Sequence, residues 1–144
     1  MIESEASVVV NKCATDIFKF VVDVDNIPIW VNGAHVIKIT KGPVGPDYLF
    51  REGNILLVVR DLQVNRRFET ESVRVQFPTR LFLSYSHGVM SFEPADHGTK
   101  LTFQHQIEVP ALVRPFARMV ARKAQKDTEA ALQRLRSVLE AQSP

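Results

Sequence analysis

The plainest alternation of polar and apolar positions lies just before residue 110. Leu101, Phe103, His105, Ile107 and Val109 share one parity, and Lys100, Thr102, Gln104, Gln106 and Glu108 take the other. That period of two predicts a strand with one face against a core and one in water. After Pro110 the pattern changes to a helical period, with Leu112, Phe116, Met119, Val120, Ala124, Thr128, Ala131, Leu135 and Val138 in one stripe. The stripe predicts a single amphipathic helix of roughly 25 to 30 residues. Pro115 fits its first turn, where a missing N–H is harmless, whereas a start at Pro110 would leave Pro115 inside the helix and kink it.

Upstream, Ser4 to Asn11 is short and β-branched and reads as a strand. Ala14 to Asp23 then places Ile17, Phe18, Val21 and Val22 at helical spacing. Asp25 to Gly33, with a proline and the only tryptophan, suits a second short helix or turn. Between Ala34 and Pro110, turn signals at Gly42-Pro43-Val44-Gly45-Pro46, Phe77-Pro78-Thr79 and Pro94-Ala95-Asp96-His97-Gly98 interrupt a succession of strands. The segments are one from Ala34, then Asn54 to Leu62, Arg66 to Phe77, Leu81 to His87, Val89 to Glu93 and Thr99 to Val109. Short turns between consecutive strands make them antiparallel, so an α+β architecture is expected.

A chain of 144 residues is expected to form one domain, 1–144, with one substantial core. Hydrophobic residues at 45% and charged residues at 24% are ordinary for a globular protein and argue against a disordered chain. With 18 basic and 16 acidic residues the net charge is +2, which argues against nucleic acid as a partner. Cys13 is the only cysteine, so no internal disulfide can form and no CxxC metal pair exists. The opening Met1-Ile2-Glu3-Ser4-Glu5 lacks a basic start with an apolar run, and no stretch is apolar enough to span a bilayer. These observations predict a cytoplasmic protein, a monomer or homodimer, without an integral membrane segment.

Strand, two short helices, about six antiparallel strands and one long final helix is an order that resembles the START-like superfamily, also called SRPBCC. The chain is most similar to its polyketide cyclase/dehydrase and lipid-transport group. The residues that carry the resemblance are Val8-Val9-Val10 with Ile17-Phe18, Asp23 and Trp30, and Phe77-Pro78-Thr79-Arg80-Leu81. Phe92-Glu93-Pro94 with Gly98-Thr99-Lys100-Leu101-Thr102-Phe103, and Leu132, Leu135, Leu139 and Glu140 near the end, complete it. The resemblance implies a helix-grip fold: a curved antiparallel sheet of about seven strands wrapped on the long C-terminal helix, with two short helices after the first strand. It also implies a pocket for a lipid, quinone, hormone or polyketide, in some members with cyclisation or dehydration. Such a fold does not by itself fix a reaction.

Parity nominates the pocket wall. His35 shares a face with Ile37 and Ile39, Tyr85 and His87 share one with Leu81 and Leu83, and His105 sits among Leu101, Phe103 and Ile107. Tyr85, His87 and His105 would then form a polar cluster able to orient a ligand or to move a proton, since an unperturbed imidazole titrates at about 6.5. The same pattern also fits buried side chains bonded only to their surroundings. Trp30, Phe50, Met90, Phe92, Phe103, Phe116, Met119 and Val120 are expected around the apolar space, where they serve equally as core. The three histidines match no compact zinc spacing, and neither a metal nor a cofactor is expected.

Two further patterns have both a chemical and a plain reading. Glu69 and Glu71 share parity on the Arg66–Phe77 segment, where paired carboxylates suit acid–base work but a solvated face is the commoner outcome. The facing of that segment is ambiguous, and a bulge would switch it midway. Arg114, Arg118, Arg122 and Lys126 recur every four residues. That ladder either faces water or offers a docking face to an anionic ligand, a protein partner or, transiently, a membrane surface.

Overall fold

The computed structural model describes residues 1–142. Alternation at the start of the chain gives strand β1 (Ile2–Val10), which buries Ser4, Val8 and Val10 and exposes Glu3, Glu5, Ser7 and Val9. Helix α1 (Ala14–Val22) follows and buries Ile17, Phe18 and Val21, the face its spacing predicts. Asp23 accepts a hydrogen bond from the Asp25 N–H at 3.1 Å, opening a tight turn into α2 (Ile27–Trp30), which buries Ile27 and Trp30.

Six strands come next: β2 (Val36–Lys38), β3 (Leu49–Glu52), β4 (Ile55–Gln63), β5 (Arg67–Val75), β6 (Tyr85–Ala95) and β7 (Gly98–Glu108). With β1 they form one antiparallel sheet of seven strands in the order β1-β7-β6-β5-β4-β3-β2. Two bulges bend it: Arg60 is the extra residue in β4 and Val73 the extra residue in β5. The second switches the facing of β5, so Phe68 and Val75 are both buried although their parity differs.

The expected break between Leu81–His87 and Val89–Glu93 does not exist. Tyr85–Ala95 is one continuous strand, and Thr79–Leu81 forms a separate tight turn. Gly88, where the two expected segments divide, is a mid-strand position whose missing side chain makes room for the Phe103 ring. A Cβ there would lie 3.3 Å from that ring's Cζ.

Gly98 has the opposite reason for its glycine. Its φ is 148°, and a Cβ would lie 2.0 Å from the Val10 carbonyl oxygen. Beside it, the Thr99 hydroxyl donates to the Lys12 carbonyl at 2.9 Å. The Gly98–Phe103 stretch therefore locks the β6–β7 hairpin onto the end of β1.

Helix α3 (Ala117–Ala141) lies against β1 and covers its free edge. Gln125 takes the place of a neighbouring strand, accepting from the Glu5 N–H at 3.1 Å and donating to the Glu5 carbonyl at 2.8 Å. The Glu140 carboxylate accepts from the Asn11 N–H at 3.0 Å, and that bond holds its pKa below the ordinary carboxylate value. The buried stripe is Thr128, Leu132, Leu135 and Leu139, packed in one core with Val10, Ile17, Phe18, Phe92 and Leu101. The predicted stripe begins too early. Prolines at 110 and 115 interrupt backbone donors five residues apart, so a tight turn over Arg114–Phe116 precedes the helix and Leu112 and Phe116 are left exposed.

Candidate functional site

The core fills only one end of the space between sheet and α3. At the other end lies a cavity of about 530 Å³, between the first half of α3, the two short helices and the concave face of the sheet. Its wall is mainly apolar: Val21, Ile27 and Trp30 from the short helices and Val31 just after them; Phe50, Leu57 and Phe68 from β3 to β5; Met90, Phe103 and Ile107 from β6 and β7. Met119, Val120, Ala124 and Ala131 close it from α3, and Leu83 from the loop before β6. Met119 is 68% exposed, which marks the mouth. Lys123 and Asp127 stand beside it and neutralise one another at 3.1 Å.

Strand register explains the polar part of the wall. Ser4, His105, Gly88 and Thr70 are successive partners across β1, β7, β6 and β5, so they form one row on the concave face. His105 Nε2 is bonded to the Ser86 hydroxyl at 2.9 Å, and its ring lies against Phe103 with centroids 5.7 Å apart. Burial, with a smaller push from His87, lowers the His105 pKa below its ordinary value of 6.5, which keeps the imidazole neutral at neutral pH. The Ser4 and Thr128 hydroxyls meet at 3.0 Å, and Thr128 also donates to the Ala124 carbonyl at 2.8 Å.

Opposite this row stands a residue that the sequence pattern does not nominate. Glu52 shares its facing with Phe50 and lines the same cavity. Protein encloses most of its side chain, and burial alone pushes its pKa above the ordinary carboxylate value of 4.5. Parity with Phe50 is the signal that could have found it.

Among the residues nominated from sequence, Trp30, Phe50, Leu83, Met90, Phe103, His105, Met119 and Val120 lie together on the cavity wall. Tyr85 and His87 do not. The expected parity counts them in a strand with Leu81 and Leu83, but those two precede the strand, and within β6 it is Ser86, Gly88, Met90 and Phe92 that face inward. His35 and Ile37 also lie outside the cavity, because in three-residue β2 it is Val36 that packs on the core; Ile37 is 59% exposed. Phe92 sits deeper, edge-on to Phe18 at 5.4 Å, and belongs to the closed end of the core. Phe116 precedes α3 and is exposed.

The two outward residues join a charged network on the convex face. His87 Nε2 lies 2.6 Å from Glu69, whose other oxygen accepts from Arg67 at 2.8 Å, and Arg67 also reaches Asp61 at 2.9 Å. The Tyr85 hydroxyl donates to Glu71 at 2.6 Å, and Arg60 donates to the same carboxylate at 3.0 Å. Burial and that bond to Glu71 push Tyr85 up to about 12, while the Tyr85 and Arg60 bonds hold Glu71 below the ordinary carboxylate value. Glu69 and Glu71 are thus a solvated, compensated pair. Arg114, Arg118, Arg122 and Lys126 are all exposed and form no ion pair among the described residues. No cluster of three metal-ligating side chains occurs among the described residues, and none of the helices is long and apolar enough to cross a membrane.

A cavity between a curved antiparallel sheet and a long C-terminal helix defines a helix-grip protein. The family model described as polyketide cyclase / dehydrase and lipid transport matches residues 1–140, and the chain belongs to that family. The sequence matches none of the curated proteins significantly. Among solved structures, it is similar to TTHA0849 from Thermus thermophilus, with a TM-score of 0.79 and 16% identity over 98% of this chain and 99% of that one. MLL2253 from Mesorhizobium loti gives 0.75 and 12% identity over 99% of each chain. The di-domain ARO/CYC StfQ from the steffimycin biosynthetic pathway gives 0.73 and 12% identity, covering 94% of this chain and 50% of that one. At such identities the likeness is one of fold.

Proposed function

We propose that this protein binds an uncharged, largely apolar small molecule of lipid, quinone or polyketide type in its internal cavity and carries or shelters it. The observation that carries this reading is the cavity itself. Its 530 Å³ falls within the range of roughly 300 to 1,000 Å³ usual for ligand sites, and its wall is apolar with a few convergent polar groups. The family description, which includes lipid transport, supports the same reading. The one cysteine, exposed Cys13, fits a reducing compartment such as the cytoplasm.

Native mass spectrometry of protein purified without detergent tests the proposal. A co-purifying mass of a few hundred daltons, lost on mild activation, is the expected result. The only tryptophan lines the cavity, so quenching of Trp30 fluorescence measures affinity for added lipids, quinones and aromatic polyketides. Absence of both a bound mass and any quenching sinks the proposal.

An acid–base enzyme of the cyclase or dehydratase kind is the second reading, and the position of His105 on the cavity wall favours it. Of the three nominated groups only His105 is available to a bound molecule. Its substitution by Phe is expected to abolish turnover of a poly-β-ketone substrate while Trp30 quenching persists; undiminished turnover excludes the assignment.

A further inference from the structure

We infer that Glu52 is the polar anchor of the cavity, donating a hydrogen bond from a neutral carboxyl to an uncharged acceptor of the ligand, namely a ketone, quinone or ester carbonyl. The inference rests on the cavity-binding reading and adds to it the chemical feature the ligand must carry.

The residues paired with Glu52 in the sheet, and its inward neighbour on its own strand, are apolar. On its own strand the inward neighbour is Phe50, and its cross-strand partners are Val36 on β2 and Ile55 on β4. Trp30, Ile27 and Val31 face the same space from α2 and the residue after it. The charged and titratable groups lining the cavity from other elements are Lys123 and Asp127 on α3 and His105 on β7. The Lys123 ammonium is held by Asp127 at 3.1 Å, and His105 is occupied with Ser86 at 2.9 Å. On the β2 side, Lys38 is held by Asp25 at 2.8 Å and the His35 side chain is exposed. Burial raises the carboxyl's pKa, and among the described residues no charge or hydrogen bond compensates it.

A carboxylate cannot be held in such a place cheaply, because removal from water penalises the charged form and nothing here offsets it. Burial shifts the balance toward the neutral acid relative to an exposed glutamate, and in that form the carboxyl has an O–H donor with no partner among the described residues. Of the other polar groups of the wall, Thr70, His105, Thr128 and the Trp30 indole N–H, which is buried without a partner among the described residues, are uncharged, and Lys123 and Asp127 are paired with one another at the mouth. Among the described residues a ligand anion would meet no free cation inside, and a ligand cation would have to ionise Glu52 in apolar surroundings. An uncharged acceptor meets neither penalty and satisfies the carboxyl O–H.

Fluorene and 9-fluorenone test this, since they share a rigid apolar frame and differ in one ketone. Trp30 quenching would be measured for the wild type, Glu52→Gln and Glu52→Leu, with circular dichroism reporting the fold. At mildly acidic pH the wild type is expected to favour fluorenone by roughly fivefold to tenfold, the size of one hydrogen bond. Glu52→Gln, which keeps an N–H donor, should retain that preference at every pH. Glu52→Leu should lose it while binding fluorene as well as the wild type does. The wild-type preference should fade as pH rises and the carboxyl ionises. Equal binding of the two compounds by the wild type, or a preference that survives in Glu52→Leu, overturns the anchor and leaves the cavity reading intact. Loss of the preference in Glu52→Gln at acidic pH also overturns it, because an N–H donor at this position should serve the ketone as the carboxyl O–H does. Binding of neither compound by any variant overturns the cavity reading, and the anchor with it.

Discussion

On the concave face of the sheet, His105 meets the Ser86 hydroxyl, the Phe103 ring and the cavity; on the convex face, His87 meets Glu69, which Arg67 holds in turn. The two histidines are one register step apart on neighbouring strands, since His105 is paired with Gly88. The pleat sends successive side chains to opposite faces, and that alone assigns them to different chemistries. Inside, His105 and Thr128 are bonded to hydroxyls; among the described residues Glu52 and the Trp30 N–H have no partner, and no lining group belongs to an ion pair except the Lys123–Asp127 couple at the mouth. Outside, every acid of the network is matched by an arginine, a histidine or a tyrosine. A face that compensates its charges suits water, and a face that avoids them suits an uncharged ligand.

The largest effect expected from separating the faces is on stability. Leu135 is fully buried where α3 packs on the concave side. Leu135→Ala is expected to lower the unfolding free energy by about 2 to 5 kcal/mol in a urea titration. A loss below about 1 kcal/mol would mean that α3 is not clamped at its closed end.

Gly88 gives a sharper contrast because its neighbour points the other way. Gly88→Leu would push a side chain against Phe103 and into the cavity, and overpacking of about 1 to 3 kcal/mol should weaken fluorenone binding roughly tenfold or more. His87→Leu, on the opposite face, should leave binding unchanged. Equal effects in a Trp30 quenching titration would erase the distinction between the faces.

The same pleat explains how much of the fold and of the site is legible in the sequence. β7 keeps an unbroken register with β1 and β6, so alternation alone places Phe103 and His105 on the cavity wall. The helical stripe likewise locates Met119 and Val120. Parity fails wherever its reading frame is not a strand. Tyr85 and His87 take their frame from Leu81 and Leu83, which lie in and after a tight turn. His35 and Ile37 take theirs from a strand that amounts to three residues at the sheet edge. Glu52 escapes notice because β3 has four residues, too few to show alternation, and because a glutamate is by default a surface residue. The bulge expected in the Arg66–Phe77 segment is present at Val73, where it reconciles two incompatible parities.

Titration should also tell the faces apart. Burial lowers the His105 pKa, so the unfolded chain takes up a proton there at higher pH than the native state does. Stability from this group is therefore present above pH 6.5 and is lost as pH falls below it. Glu52 has the opposite sign: its folded pKa is raised, so its contribution is present at low pH and is lost as pH rises above 4.5 through the folded value. His105→Phe should flatten the decline in thermal midpoint on the acid side, and Glu52→Gln should raise the midpoint more at pH 8 than at pH 4.5. One proton is at stake in each case, so each slope is bounded by about 1.4 kcal/mol per pH unit. Unchanged profiles would place both groups in contact with bulk water.

The smallest effect is expected from the convex network, despite its short distances. Glu69 and His87 are each 19% exposed and lie 2.6 Å apart, geometry that on a distance criterion alone would suggest a strong pair. Both nonetheless border water, and Arg67 shares the same carboxylate at 2.8 Å, so removing one partner leaves the other compensated. A double-mutant cycle with Glu69→Gln and His87→Gln should give a coupling of about 1 kcal/mol or less at neutral pH, shrinking in 1 M salt as screening tightens to about 3 Å. A coupling above about 2 kcal/mol that salt does not touch would make the network a desolvated one. The convex face would then need a covering partner, and the contrast between a dry side and a wet side of the sheet would fail.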